Sequence, residues 1–206
     1  MNREGLSKGE RTKAKVERAA LDLFRKNGYH GTSMRAIAQN AGMAVGGIYN
    51  HFSSKEEIFR SVLLEFHLYK DVIPALREAQ GDTLEEFVRD AAGKMVKGFG
   101  QPLDFINLIF IELVEFNGRH IPELFQLIYP QLVEFGQRFI QKSEQLRPIP
   151  LAVLLRSFIG LFFSYVMTGL ILSEQMPKEV QDHAFDDFVD IYLHGILKDG
   201  TLPDAH

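Results

Sequence analysis

Residues Gly31 to Phe59 read GTSMRAIAQNAGMAVGGIYNHFSSKEEIF, and the spacing within this stretch decides the fold. Ser33 stands where a helix N-cap is wanted, because its hydroxyl can accept from an unpaired amide of the first turn. Met34, Ile37, Ala38 and Ala41 then recur at helical spacing. Gly42 breaks the pattern at a position that suits a left-handed turn residue. Met43, Ile48 and Phe52 resume an apolar face on a second short helix, and Ala38 is small where the two helices would cross. Two overlapping capping boxes, Ser53 with Glu56 and Ser54 with Glu57, announce a further helix starting at Ser54 or Lys55. Two short helices joined by a tight turn imply a helix-turn-helix unit, whose second helix enters the DNA major groove.

The residues Thr32-Ser33, Ile37-Ala38, Ala41-Gly42, Gly46, Ile48-Tyr49, His51-Phe52 and Ser54-Lys55-Glu56 keep fixed mutual spacings. Ala19-Ala20-Leu21 and Leu23-Phe24 precede them and lead to Gly28. This pattern resembles the N-terminal domain of the tetracycline-repressor (TetR-like) family of bacterial transcriptional regulators. The resemblance covers residues 10 to 65; the rest of the chain is similar only in length and helical pattern. It implies an all-α protein with a three-helix DNA-binding head, residues 1–53, on a larger helical body for ligand binding and dimerisation, residues 54–206. It also implies a ligand-responsive regulator, a repressor released from its operator by a small lipophilic molecule. The alternative is an architectural or partner-recruiting DNA-binding factor without a small-molecule ligand.

The recognition helix, read as Val45 to Phe52, contains no Lys, Arg, Gln or Glu, so bidentate reading of guanine by arginine is unavailable from its body. Ala44 and Val45 suit contact with thymine methyls, and Gly46 and Gly47 remove bulk so that backbone can approach the DNA. Family members commonly carry Ser and Lys or Arg at the positions of Ala44 and Val45; with those absent, specificity falls to Asn50, to Arg35 and to DNA shape. Thr32 and Ser33 open a helix, where free amides favour an anion, and Lys55 opens the next one. The resemblance makes Tyr49 and His51 backbone-contacting residues. Each has a plainer reading: Ser33 as a cap only, Tyr49 as a packed ring, Lys55 as a solvated lysine. Lys8, Arg11, Lys13 and Lys15 read first as a solvated polar terminus.

The net charge of −4 conceals an asymmetry. Residues 1–60 hold 11 Lys and Arg against 6 Asp and Glu; residues 61–206 hold 12 against 21. A basic head on an acidic body suits a protein that offers one end to a polyanion. Apolar content of 46% and charged content of 24% are ordinary for a globular chain. The absence of cysteine removes disulfides and thiolate metal sites. The opening MNREGLSKGERTK lacks the apolar run of a secretory signal, so a cytoplasmic location is expected.

Helical punctuation predicts about nine helices. The first runs Lys8–Asn27. The fourth continues from Ser54 or Lys55 towards Gln80, kinked near Pro74. The fifth is capped by Thr83 and Glu86, and the sixth spans Pro102–Phe116. A seventh region after Pro122 is kinked or split by Pro130; the eighth spans Leu151 to about Glu174, and the ninth Lys178 to about Lys198. The eighth is long enough to cross a membrane, but its amphipathic neighbours favour the centre of a helical bundle, and no membrane partner is expected.

The resemblance implies a homodimer through the last two helices. Gly160, Ser164 and Thr168 form a small-residue stripe on one of them; Phe188 and Ile191 lie on the other. Packing within one subunit is the plainer reading of that stripe. The resemblance also implies a cavity for an apolar or amphipathic ligand. Phe66, Phe105, Ile109, Phe116, Phe125, Tyr129, Phe162 and Tyr165 are its apolar candidates, although aromatic stripes are more often core. Glu112 and His67 are the polar candidates. No enzyme is expected: the chain has no Gly-x-Ser-x-Gly, GxxxxGK[ST] or HExxH motif. No cofactor is expected either, and His183 with Asp182, Asp186 and Asp187 makes only a weak metal candidate.

Overall fold

The computed structural model describes residues 7–66, 69–99, 102–142, 144, 146–172 and 174–198, without the side chains of residues 69–71 and 102–105. The described residues form ten helices and no strand: α1 Lys8–Asn27, α2 Met34–Asn40, α3 Val45–Tyr49, α4 Lys55–Glu65, α5 Tyr69–Arg77, α6 Leu84–Gly98, α7 Pro102–Phe116, α8 Ile121–Lys142, α9 Leu151–Leu172 and α10 Lys178–Ile196. The all-α expectation holds, with one helix more than anticipated. The long fourth helix is two: Phe66 leaves helical geometry at φ −110° and ψ 25°, and the chain is helical again from Tyr69. The break therefore precedes Pro74, which sits inside α5. There its missing N–H forgoes the bond to the Lys70 carbonyl, which its ring also crowds. Pro130, expected to kink or split its region, lies within the single helix α8. Residues 67–68, and with them His67, lie outside the described residues.

By packing, the chain forms two compact units, residues 1–67 with 103–125, and residues 68–102 with 126–206. Packing thus cuts the chain elsewhere than the division expected between residues 53 and 54.

In the first unit, α1 begins with a reciprocal capping box between Ser7 and Glu10. It buries Val16, Ala20 and Phe24. Ile37, Ala38, Ile48 and Phe52 from the α2–α3 region close over them, and α4 adds Ile58, Phe59, Val62 and Leu63. α7 supplies Leu108 and Phe116 to the same core. Each such aliphatic or aromatic side chain contributes about 1.5–3 kcal/mol on full burial. Gly42, at φ +60°, makes the left-handed turn between α2 and α3, where the Met43 amide reaches back to the Ala38 carbonyl at 3.0 Å.

The second unit is built around stacked and edge-on rings. Phe87, Phe135, Phe139, Phe158, Phe162 and Tyr192 meet with centroids 5.0–6.3 Å apart, within the range of favourable aromatic pairs. The Tyr192 hydroxyl donates to the Leu154 carbonyl at 3.0 Å, and burial pushes its phenol well above the usual tyrosine range. Arg138 donates to the Arg77 carbonyl at 2.8 Å and to that of Ala79, satisfying the C-terminal end of α5. Gly136 permits close approach of α8 and α9, since a Cβ there would lie 2.6 Å from Leu151 Cδ1.

α9 is long and apolar enough to cross a membrane. It buries Leu154, Leu155, Phe158 and Phe162 and leaves Val153, Leu170, Ile171 and Leu172 exposed. The expectation of a bundle-central helix is thereby corrected: one face is core and the other is open.

Candidate DNA-binding interface

The head presents its polar surface from the two ends of α2 and from α3. The Ser33 hydroxyl accepts from the Ala36 amide at 3.1 Å, so Ser33 is the cap of α2; it is also exposed, with its own O–H proton still available. Arg35, two residues on, is exposed as well. α3 ends at Tyr49, shorter than the anticipated Val45–Phe52, with Asn50 as its C-cap at φ −74° and ψ −13°; the Phe52 amide still reaches the Ile48 carbonyl at 2.9 Å. Ile48 is fully buried and fixes the helix to the core, while Val45 packs partly against it. Ala44, Gly46, Tyr49 and Asn50 face outward. Tyr49 is 54% exposed, which removes the packed-ring reading. Around Gly46 there is open space, so its backbone can lie against a flat surface. His51 is half-buried beside the start of α1, its Cε1 4.0 Å from where a Gly9 Cβ would sit.

Two expected phosphate contacts are placed otherwise. Thr32 is 1% exposed; its hydroxyl donates to the Gly28 carbonyl at 2.8 Å and its amide to Tyr29 at 3.2 Å. Both of its donors are spent on the turn that delivers Ser33. Lys55 is turned inward. Its Nζ donates to the carbonyls of Tyr29 at 2.7 Å and Thr32 at 2.8 Å and lies 4.1 Å from the Tyr29 ring centroid. Burial holds this amine below the usual lysine range, opposed by Glu115. Burial, together with Glu56 and Glu115, pushes the Tyr29 phenol up. Lys55 is neither a solvated lysine nor a free phosphate ligand: it ties the first turn of α4 to the α1–α2 turn. The adjoining capping question is also settled, since Ser54 is the N-cap and accepts from Glu57 at 3.1 Å.

The corner between α7 and α8 packs onto this base. Glu112 is 0% exposed, and its two carboxylate oxygens accept from the His120 amide at 2.7 Å and face His120 Nδ1 at 2.8 Å. His120 Nε2 lies 3.7 Å from Glu56 on α4, and Arg119 bonds the same Glu56 oxygen at 2.8 Å. Arg60 forks onto Glu123, and His30 meets Glu115 at 2.6 Å. Phe116 stacks on Phe59 at 5.0 Å and meets Tyr29 edge-on at 4.9 Å. His120 and Tyr29 were not singled out in the sequence. The only signal for the pair was a charged residue inside an apolar run, with a histidine eight residues later across the Asn117-Gly118 turn.

The ligand candidates do not form one cluster among the described residues. Ile109 and Phe116 pack into the core of the first unit with Phe66, whose ring carries the Arg18 guanidinium at 5.3 Å. Glu112 is hydrogen-bonded to His120. Phe125 and Tyr129 are largely exposed. Phe162 is buried in the second unit, and Tyr165 meets Phe185 and Phe188 edge-on. The side chain of Phe105 lies outside the described residues. Of the dimer candidates, Gly160, Ser164 and Ile191 are exposed, and Thr168 and Phe188 half-buried. The Thr168 hydroxyl turns back to the Ser164 carbonyl at 2.8 Å. His183 belongs to no group of three metal-ligating side chains among the described residues.

Residues 18–62 match the family of bacterial regulatory proteins called tetR. The chain is 35% identical over 54 residues to the HTH-type transcriptional regulator UidR of Escherichia coli, a match covering 26% of this chain and 28% of that relative. It thus spans little more than a quarter of the length of the first curated relatives it matches. A protein from Mesorhizobium loti assigned to the TetR family superposes with a TM-score of 0.68 at 20% identity, over 94% of this chain and 100% of that one. The transcriptional regulator FadR from Bacillus subtilis, in complex with stearoyl-CoA, superposes with a TM-score of 0.63 at 21% identity, over 89% and 98%. These two likenesses establish a shared fold. The head built on Ser33, Gly42 and Tyr49 thus lies within the segment, residues 18–62, that is similar to the tetR family of bacterial regulatory proteins.

Proposed function

We propose that the protein is a sequence-specific DNA-binding transcriptional regulator, acting as a homodimeric repressor that a small amphipathic molecule releases from its operator. The observation that carries the reading is the outward surface of the α2–α3 pair. Ala44, Gly46, Tyr49 and Asn50 face away from a core that Ile37, Ile48 and Phe52 hold rigid. Ser33 and Arg35 flank that surface at the other end of α2. In this reading Tyr49, His51 and Ser33 bond phosphates and fix register, while Asn50, Arg35, Ala44 and Val45 read bases. Thr32 and Lys55 act from below, by holding the turn.

Dimerisation rests on the open faces of α9 and α10. Gly160 and Ser164 are exposed between Val153 and Ile171, and Ile191 is 60% exposed on α10. Two copies meeting there would bury both stripes, and small residues let helices approach closely. Two heads on one dimer would address two half-sites.

A ligand of acyl character is favoured by the aromatic body and by the stearoyl-CoA bound to the FadR neighbour. Coupling then requires only that the ligand bind better to the dimer whose heads misfit the operator, by about 1–3 kcal/mol.

The test is selection of bound fragments from fragmented genomic DNA by the full chain, followed by footprinting. Protection of a palindromic site, lost on adding acyl-CoA or another lipophilic compound, is expected. Equal affinity for all fragments would remove sequence-specific regulation. A specific site that no lipophilic compound releases would favour the architectural reading.

A further inference from the structure

Beside the α2–α3 turn lies a cleft of about 450 Å³ whose lining includes Arg11, Lys15, Arg18 and Asp22 from α1 and Asn40 from α2. The cations recur at positions 11, 15 and 18, one helical stripe, and Asp22 is the single acidic group of that lining. Arg11 and Lys15 are exposed and have no carboxylate partner among the described residues. Arg18 is held over the Phe66 ring. Asn40 is fixed by its bond to the Ala19 carbonyl at 3.1 Å, so the floor of the cleft is rigid. Lys15 Nζ sits 3.6 Å from where a Gly42 Cβ would stand, directly against the turn that delivers α3. On the opposite flank of α1, Lys13 lies over the Phe52 ring at 5.5 Å, next to His51.

Resting on the DNA-binding reading above, we infer that this cleft takes a DNA phosphodiester flanking the groove that α3 enters, with Arg11 and Lys15 as its ligands. These residues sit on an ordered helix, not on a solvated tail. The cleft carries three cations along its α1 side, and it adjoins the turn that must approach DNA if α3 does. It supplies phosphate contacts that the sequence of α3 lacks and replaces those withdrawn at Thr32 and Lys55. Such contacts add affinity and register but no base preference.

The experiment compares the full-length wild type with Arg11→Gln/Lys15→Gln on one 40-base-pair duplex, selected from a random pool by the wild type. Affinity is read across a salt series. Each phosphate neutralised contributes about 0.9 to the slope of log affinity against log salt, so losing one phosphodiester from each of the two clefts of a dimer should make the double variant's slope shallower by about 1.8, with unchanged sequence preference. Arg11→Lys/Lys15→Arg should restore the wild-type slope. Lys26→Ala, an exposed cation in the last turn of α1, should leave it unchanged. If the double variant changes the slope no more than Lys26→Ala does, the inference is overturned and an acidic protein partner becomes the better occupant. If the wild type selects no duplex, the DNA-binding reading itself fails.

Discussion

Replacing Lys55 by alanine separates a structural lysine from a DNA-contacting one. The wild-type amine donates two bonds to backbone carbonyls, of Tyr29 and Thr32, at 2.7 and 2.8 Å, and rides over the Tyr29 ring. A hydrogen bond from a charged donor is worth about 1.5–3 kcal/mol net, and a cation over a tyrosine about 0.5–1 kcal/mol where partly solvated. The site is half-buried, so the lower ends apply. The loss is expected at about 2–4 kcal/mol, part of it the cost of two carbonyls left in a space that water refills only partly. Urea melts of the full chain, followed by circular dichroism, should show a lower midpoint. Lys55→Met, which keeps the stem but not the donors, should recover less than half of the loss. DNA affinity at a temperature where both proteins are folded should fall little. A variant that melts like the wild type and binds every duplex more weakly would refute the assignment and return Lys55 to the phosphate backbone.

The remaining expectations follow from the same contacts. His120→Ala removes the side-chain partner of the fully buried Glu112 carboxyl while leaving the backbone amide bond at 2.7 Å, and should cost about 1–3 kcal/mol, measured by denaturant melts; Glu112→Gln, which retains an acceptor, should cost less. Ser164→Leu places a bulky side chain on the exposed small stripe of α9 and should weaken the dimer by about 1–3 kcal/mol, seen as monomer in sedimentation; an unchanged dimer would move the interface elsewhere. Tyr192 ionises later in the folded than in the unfolded chain, so its contribution is complete below the ordinary tyrosine value of about 10 and is lost as pH rises above it. Tyr192→Phe should flatten that alkaline loss in melts while lowering stability at pH 7 through the lost bond to Leu154, and an unaltered alkaline profile would contradict the burial of the phenol.

The head was legible because its signals are local. Ser33, Gly42 and Ser54 do in the structure what caps and left-handed turns require, and each acts within four residues of itself. The roles that misread were those decided across the chain. Lys55 sits at a helix start, which by sequence alone suits an anion; its partners are carbonyls 26 and 23 residues away. Thr32 shows the same failure at shorter range, since its hydroxyl is taken by a carbonyl four residues back. No spacing rule distinguishes a polar group offered to solvent from one consumed by the turn that carries it.

The body shows where periodicity stops informing. An apolar stripe announces that a face will be covered without saying by what. α7 contains INLIFIELVEF, in which Glu112 stands between apolar neighbours, and two outcomes are compatible with that: a ligand-facing charge or an internal pair. The structure gives the pair, because the Asn117-Gly118 turn folds His120 back onto Glu112. That turn also brings Arg119 to Glu56 and Phe116 to Phe59. The first turn of α4 is therefore gripped by residues more than fifty positions further along the chain, as well as by the helices that precede it. A perturbation that shifts α7 must break or carry this grip, which is made by the Arg119–Glu56 ion pair and the Phe116–Phe59 stack. Small displacements of α7 should thus move α4 with it, and the α1–α2 turn, held through Lys55, should follow.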